Sequence, residues 1–182
     1  MRCAEMRFLT FEECAKWCEA RGYPLTSPND KFRVPDVEEQ YSQIELPYPL
    51  ECGKRVYVAS RVIDRSLKYG HVLLWISDWA VWPSSQHMPL FTRFRESLGE
   101  MRPLIEAPGH LLDSAEREDG VSVLATALLF SWDCYVLRAD GGPFFYCSHD
   151  EWNSVFAPPG HSPEEFALEF SDWGDGPVST ES

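Results

Sequence analysis

The stretch from Val121 to Ala157, VSVLATALLFSWDCYVLRADGGPFFYCSHDEWNSVFA, decides how this chain is read. Val123, Leu124, Ala127, Leu128 and Ser131 recur at the spacing of one helix face, and Asp133 interrupts before an apolar run without helical period. Asp140-Gly141-Gly142 supplies a tight turn, and Ser148-His149-Asp150-Glu151 has the composition of a capped helix start. The segment therefore reads as helix, strand, turn, strand, helix. A type I′ turn at Asp140-Gly141 sets Val136 opposite Phe145 and Cys134 opposite Cys147, whereas a Gly141-Gly142 loop shifts the register and separates the cysteines. Tyr135, Leu137, Phe144 and Tyr146 share the other face. Because both faces are apolar, the hairpin belongs in the middle of a sheet.

Upstream, Thr10-Phe11-Glu12-Glu13 matches a capping box, and Phe11, Cys14, Ala15 and Cys18 follow on one face of a helix of about 11 residues ended by Gly22 and Pro24. Residues 24–53 carry five prolines, at 24, 28, 35, 47 and 49, and read as a connector with room for one helical turn near Val37 to Gln43. Lys54 to Ile63 and His71 to Ser77 are rich in β-branched and aromatic residues and read as a strand pair. Serines 84 and 85 cap a helix over Met88 to Leu98 that buries Phe91, Phe94 and Leu98. Leu111-Leu112 offers one brief strand, and Ser114 to Gly120 reads as a charged, exposed loop. Beyond Pro158-Pro159-Gly160, Ser162-Pro163-Glu164-Glu165 starts a last helix, with Phe166, Phe170 and Trp173 spaced to dock it. The order fits an α+β fold in which an antiparallel sheet of about four strands is flanked by helices. Residues 1–173 form one domain on this reading, and 174–182 a mobile tail.

The chain carries 16 basic and 29 acidic residues, a formal charge of −13, which repels nucleic-acid backbones and anionic membranes. No signal-like or membrane-spanning apolar run occurs, so a cytoplasmic protein with reduced thiols is expected. Cys14 and Cys18 lie one helical turn apart but on an apolar stripe, which favours buried thiols over zinc ligands. The five histidines show no H-x-x-x-H pair, and no nucleotide-binding or hydrolase motif occurs, so neither metal nor cofactor is expected.

Cys147, His149 and Asp150 supply a nucleophile, a base and an orienting acid, but the helix start accounts for the last two without catalysis. Trp75 and Trp132 sit in apolar runs and read as core. Trp79, Trp82, Trp152 and Trp173 neighbour Asp78, Asp150 and Asp172 and can build an acidic, aromatic patch. The reading that follows is a non-enzymatic interaction protein that binds a basic protein partner. By physical analogy it is of the bacterial immunity or inhibitor type. The alternatives are a small enzyme or small-molecule binder with a pocket near Cys147 and His149, and an adaptor that self-associates through the first helix.

Overall fold

The computed structural model describes residues 6–26, 33–36, 41–79 and 88–168. Among them the central hairpin has the first of the two registers: strands β5 (Asp133–Arg138) and β6 (Phe144–Cys147) pair Cys134 with Cys147 and Val136 with Phe145. The connection is longer than a type I′ turn and does not have its backbone, since Gly141 has a positive φ and Asp140 does not. Continued register would set Arg138 opposite Pro143, which has no N–H to give. The Tyr23 hydroxyl fills the gap, accepting from the Arg138 amide at 3.0 Å and lying 3.0 and 3.1 Å from the Arg138 and Gly142 carbonyls.

Around this hairpin the described residues form one antiparallel sheet of seven strands rather than about four. The others are β1 (Arg7–Leu9), β2 (Ser42–Leu46), β3 (Val72–Asp78), β4 (Gly109–Leu112) and β7 (Asn153–Ala157), in the spatial order β1-β4-β3-β5-β6-β7-β2. Several further expectations fail. Lys54 to Ile63 is not a strand but part of helix α2 (Cys52–Leu67), because Val58, Ala59, Val62, Ile63 and Ser66 fall on one buried helical stripe that outweighs their β-branched bias. The connector contributes the edge strand β2, paired along its whole length with β7, where a helical turn was expected; residues 37–40 lie outside the described set. Ser148 to Glu151 is no helix start either: it is the turn between β6 and β7, closed by the Ser148 amide on the Trp152 carbonyl, and the Ser148 hydroxyl accepts from the Asp150 amide.

The remaining helices match their signals more closely. Helix α1 (Phe11–Glu19) has the full capping box, with the Glu13 amide on the Thr10 hydroxyl and the Thr10 amide on the Glu13 carboxylate. Helices α3 (Met88–Ser97) and α5 (Pro163–Ala167, capped by Ser162) stand where expected, while the α3 caps expected at Ser84 and Ser85, and Phe170 beyond α5, lie outside the described residues. Helix α4 (Arg117–Phe130) begins inside the segment read as an exposed loop, after a single 3-10 turn at Ser114–Glu116 whose Glu116 is buried. Among the described residues no helix is long and apolar enough to cross a membrane.

Side chains alternate between two cores. Val72, Leu74, Ile76, Cys134, Val136, Phe145 and Val155 pack under α2 and α4. Leu73, Trp75, Tyr135, Leu137, Phe144, Tyr146 and Phe156 pack under α1 and Tyr23. Gly109 lets α1 close on the sheet, since a Cβ there would lie 2.3 Å from the Cys14 sulfur. His110 is wholly buried beside Phe8 and Phe91. Desolvation, aided by the Arg95 charge, pushes its imidazole down to about 3.

Two outcomes follow. Tyr23→Phe should lower unfolding stability by about 1–3 kcal/mol in chemical denaturation, the cost of leaving buried backbone groups at Arg138 unpaired, and an unchanged midpoint would refute the role given to the hydroxyl. His110 stays neutral in the fold while the unfolded chain protonates near 6.5, so its contribution is intact above pH 6.5 and drains as pH falls toward 3. His110→Gln should therefore flatten the acid limb of a stability–pH curve by about 1.4 kcal/mol per pH unit in that window. Parallel acid limbs would count against it.

Candidate functional site

Charged groups collect where β3 ends, β5 begins and the β6–β7 turn crosses them. A bulge between Ile76 and Asp78 advances β3 by one residue, so that Asp78 rather than Ser77 stands opposite Asp133. Two carboxylates facing each other across strands repel, and the β6–β7 turn supplies the offset. Asp133 Oδ1 accepts from the His149 amide at 2.7 Å and lies 2.8 Å from His149 Nδ1. Asp150 Oδ1 stands 3.7 Å from the other ring nitrogen. Burial alone would push the His149 imidazole down, but the hydrogen bond and charge of Asp133, then Asp150 and Asp78, hold it above its ordinary value.

The cluster is graded from sheltered to open. The side chains of Asp133, His149 and Asp150 are 14%, 26% and 65% exposed. The open acceptor, Asp150, belongs to the β6–β7 turn, and the sheltered one, Asp133, to the first position of β5. Asp78, Asp133 and His149 each present a ligand atom, all within 4.8 Å of one another, and among the described residues they form the group able to hold a metal ion. Two carboxylates and an imidazole suit a divalent ion such as zinc or manganese. Asp133 Oδ1 is already engaged twice by His149, so a metal there competes with those hydrogen bonds. Asp133 carried no functional signal in the sequence, where it served only to end a helix; it gains its place from a bulge and a turn that no local pattern announces.

Four residues of the anticipated acidic, aromatic patch meet at this end of the sheet. Asp78 and Asp150 flank His149. Trp79, half-buried, packs against the aliphatic core, and Trp152, also half-buried, packs against the aromatic core with its ring 5.1 Å from that of Tyr146. The two indoles therefore pack on opposite faces of the sheet. Trp82, Asp172 and Trp173 fall outside the described residues.

The alternative trio of Cys147, His149 and Asp150 has a different geometry. Cys147 is buried in the aliphatic core, its thiol directed at the Trp132 and Cys134 carbonyls at 3.5 and 3.8 Å, whereas His149 is committed to Asp133. Cys134 across the strand is buried too, and desolvation raises its thiol well above the ordinary range. Cys14 and Cys18 are buried on α1, and burial pushes the Cys18 thiol up to about 12. No protein-family model matches the chain, and no curated protein or solved structure matches it.

Because the His149 pKa is raised in the fold, its favourable interaction is fully present below pH 6.5 and is lost as pH climbs through the elevated value. An NMR titration of the His149 ring should give a midpoint above 6.5, and Asp133→Asn should bring it down. A native midpoint at or below 6.5 would contradict the arrangement.

Proposed function

We propose that the chain is a non-enzymatic interaction protein whose acidic end, built from Asp78, Asp133, Asp150, Trp79 and Trp152, binds a basic protein partner, in the manner of a bacterial immunity or inhibitor protein. One observation carries this reading: two half-buried indoles pack on opposite faces of the sheet at the end where sheet pairing sets Asp78 beside Asp133 and the β6–β7 turn adds Asp150. Indoles give contact area at small entropic cost, and positioned carboxylates accept from lysine and arginine with little further ordering. The formal charge of −13 adds long-range attraction for a cationic surface and a faster encounter. The alternative, a small enzyme or small-molecule binder at Cys147 and His149, has less behind it, because a buried thiol aimed at carbonyls offers no accessible nucleophile.

The test is affinity capture from the source cell's lysate with three baits: the native chain, the triple variant Asp78→Asn, Asp133→Asn, Asp150→Asn, and a control with Glu12, Glu96 and Glu164 changed to Gln. A basic protein held at low salt by the native chain and the control, released at roughly 0.5 M salt and lost from the first variant, is the expected result. Equal retention by all three baits, or no salt-sensitive basic protein at all, would dispose of the proposal.

A further inference from the structure

Strand β5 ends as it begins, on a charged residue, but of opposite sign. Its six residues span about 17 Å at ordinary strand rise, so Arg138 lies far from the acidic cluster. The Arg138 side chain is 4% exposed. Its Nε and Nη2 pair with Asp140, the former at 3.0 Å, and Asp140 Oδ1 also takes the Gly142 amide at 3.2 Å. A Cβ at Gly142 would fall 2.8 Å from Arg138 Nη2, so any larger residue there would have to displace the guanidinium. The Tyr23 hydroxyl fixes the backbone behind. A buried guanidinium paired with a carboxylate that is itself anchored is costly to build and hard to move.

Beside it opens a cavity of about 470 Å³, within the span of small-molecule sites. Arg138 lines it with Arg65, Tyr69, His161 and Phe166. The Arg138 guanidinium carbon stands 3.4 Å from the centre of the Tyr69 ring and 5.3 Å from that of Phe166. Arg65, on α2, approaches the same two rings at 5.4 and 5.8 Å. Two cations are thus gathered over two shared rings, and Asp140 already engages two of the Arg138 nitrogens. Arg138 Nη1 has no hydrogen-bond partner among the described residues. The exposed His161 stands at the same cavity, and Glu165 is the second carboxylate in its wall.

We propose that this cavity binds a small organic oxyanion, a phosphate monoester or carboxylate on a flat apolar body. The oxyanion meets Arg138 Nη1 and Arg65, and the body lies against Tyr69 and Phe166. Arginine suits such groups because its planar fork matches their oxygens, and both guanidinium groups already stand over the same two rings. Glu165 gives a ligand that also carries an N–H or O–H a group to donate to. The site is separate from the acidic end, so it stands or falls independently of the basic-partner reading.

The experiment is a ¹H–¹⁵N NMR titration of the full chain with phenyl phosphate, with benzoate, and with phenol as the neutral control. Saturable shifts at Arg138, Gly142 and His161 with either anion, and none with phenol, are expected; which anion saturates first identifies the oxyanion. Arg65→Ala should weaken binding roughly tenfold or more, the loss of a charge-assisted contact, and Arg65→Lys, which keeps charge without the fork, should fall between. Should Arg65→Ala lose the native spectrum, Arg65→Lys decides. The proposal is overturned by the absence of saturable shifts with both anions, by equal shifts with phenol, or by unchanged affinity in a natively folded Arg65 variant.

Discussion

The two-sided apolar character of the central strands constrains everything else in this fold. Val72 to Ile76, Cys134 to Leu137 and Phe144 to Cys147 have buried side chains on both faces, so the sheet must be covered twice. The chain solves the two sides differently. On one, α2 and α4 are long, and aliphatic residues meet aliphatic residues. On the other, the nine-residue α1 is the helix available, and volume is made up by rings: Trp17, Tyr23, Trp75, Tyr135, Phe144, Tyr146 and Phe156. Each large ring buries about 150–250 Å², so a few of them replace a second helix.

A sheet sealed on both faces leaves polar chemistry to the strand ends. Strand β5 shows this most clearly, with Asp133 at its first position and Arg138 at its last. Each ion has its partner from a turn of the same hairpin system: His149 from the β6–β7 turn for Asp133, and Asp140 from the β5–β6 connection for Arg138. Local supply keeps each charge compensated without threading a polar side chain through the core, where an unpaired ion would cost several kcal/mol. It also separates the two ends electrostatically, one collecting carboxylates, the other guanidinium groups over rings.

The central hairpin was legible in the sequence, but its register stood open between an Asp140-Gly141 and a Gly141-Gly142 reversal, because both pairs suit a tight turn; the observed Cys134–Cys147 pairing selects the register of the first. The capping box of α1 was clear, since Thr10 to Glu13 carries a complete reciprocal pattern in four residues, whereas that of Asp113 and Glu116 passed for part of a charged loop. Helix α2 was misread because Val56, Val58, Val62 and Ile63 weigh toward strand by composition while their spacing is helical; tertiary packing against α4 and the sheet follows the spacing. The edge strand β2 was hidden by flanking prolines, and its mostly exposed residues had no alternation to show. Ser148 to Glu151 satisfied a helix-start pattern that serves a turn equally well, because the same hydroxyl-to-amide bond closes both. That ambiguity concealed the site: read as caps, His149 and Asp150 needed no partner outside their own turn, whereas the turn delivers them to Asp133 and Asp78.

His110 and His149 show what position does to one side chain. His110 sits in mid-sheet, sealed beside Arg95, so desolvation and a like charge act together and the ring stays neutral. His149 keeps contact with solvent and three carboxylates, so the charges outweigh its partial burial and the ring gains a proton more easily than usual. The first can influence stability alone, since nothing outside the fold reaches it. The second changes the net charge of an open surface without disturbing either core. With the imidazole protonated, one of the nearby carboxylates is compensated from within; with it neutral, the cluster presents its full negative charge outward. On the proposed reading, a basic partner and the His149 proton would therefore compete for the same carboxylates, which the pairing of Asp78 with Asp133 holds side by side.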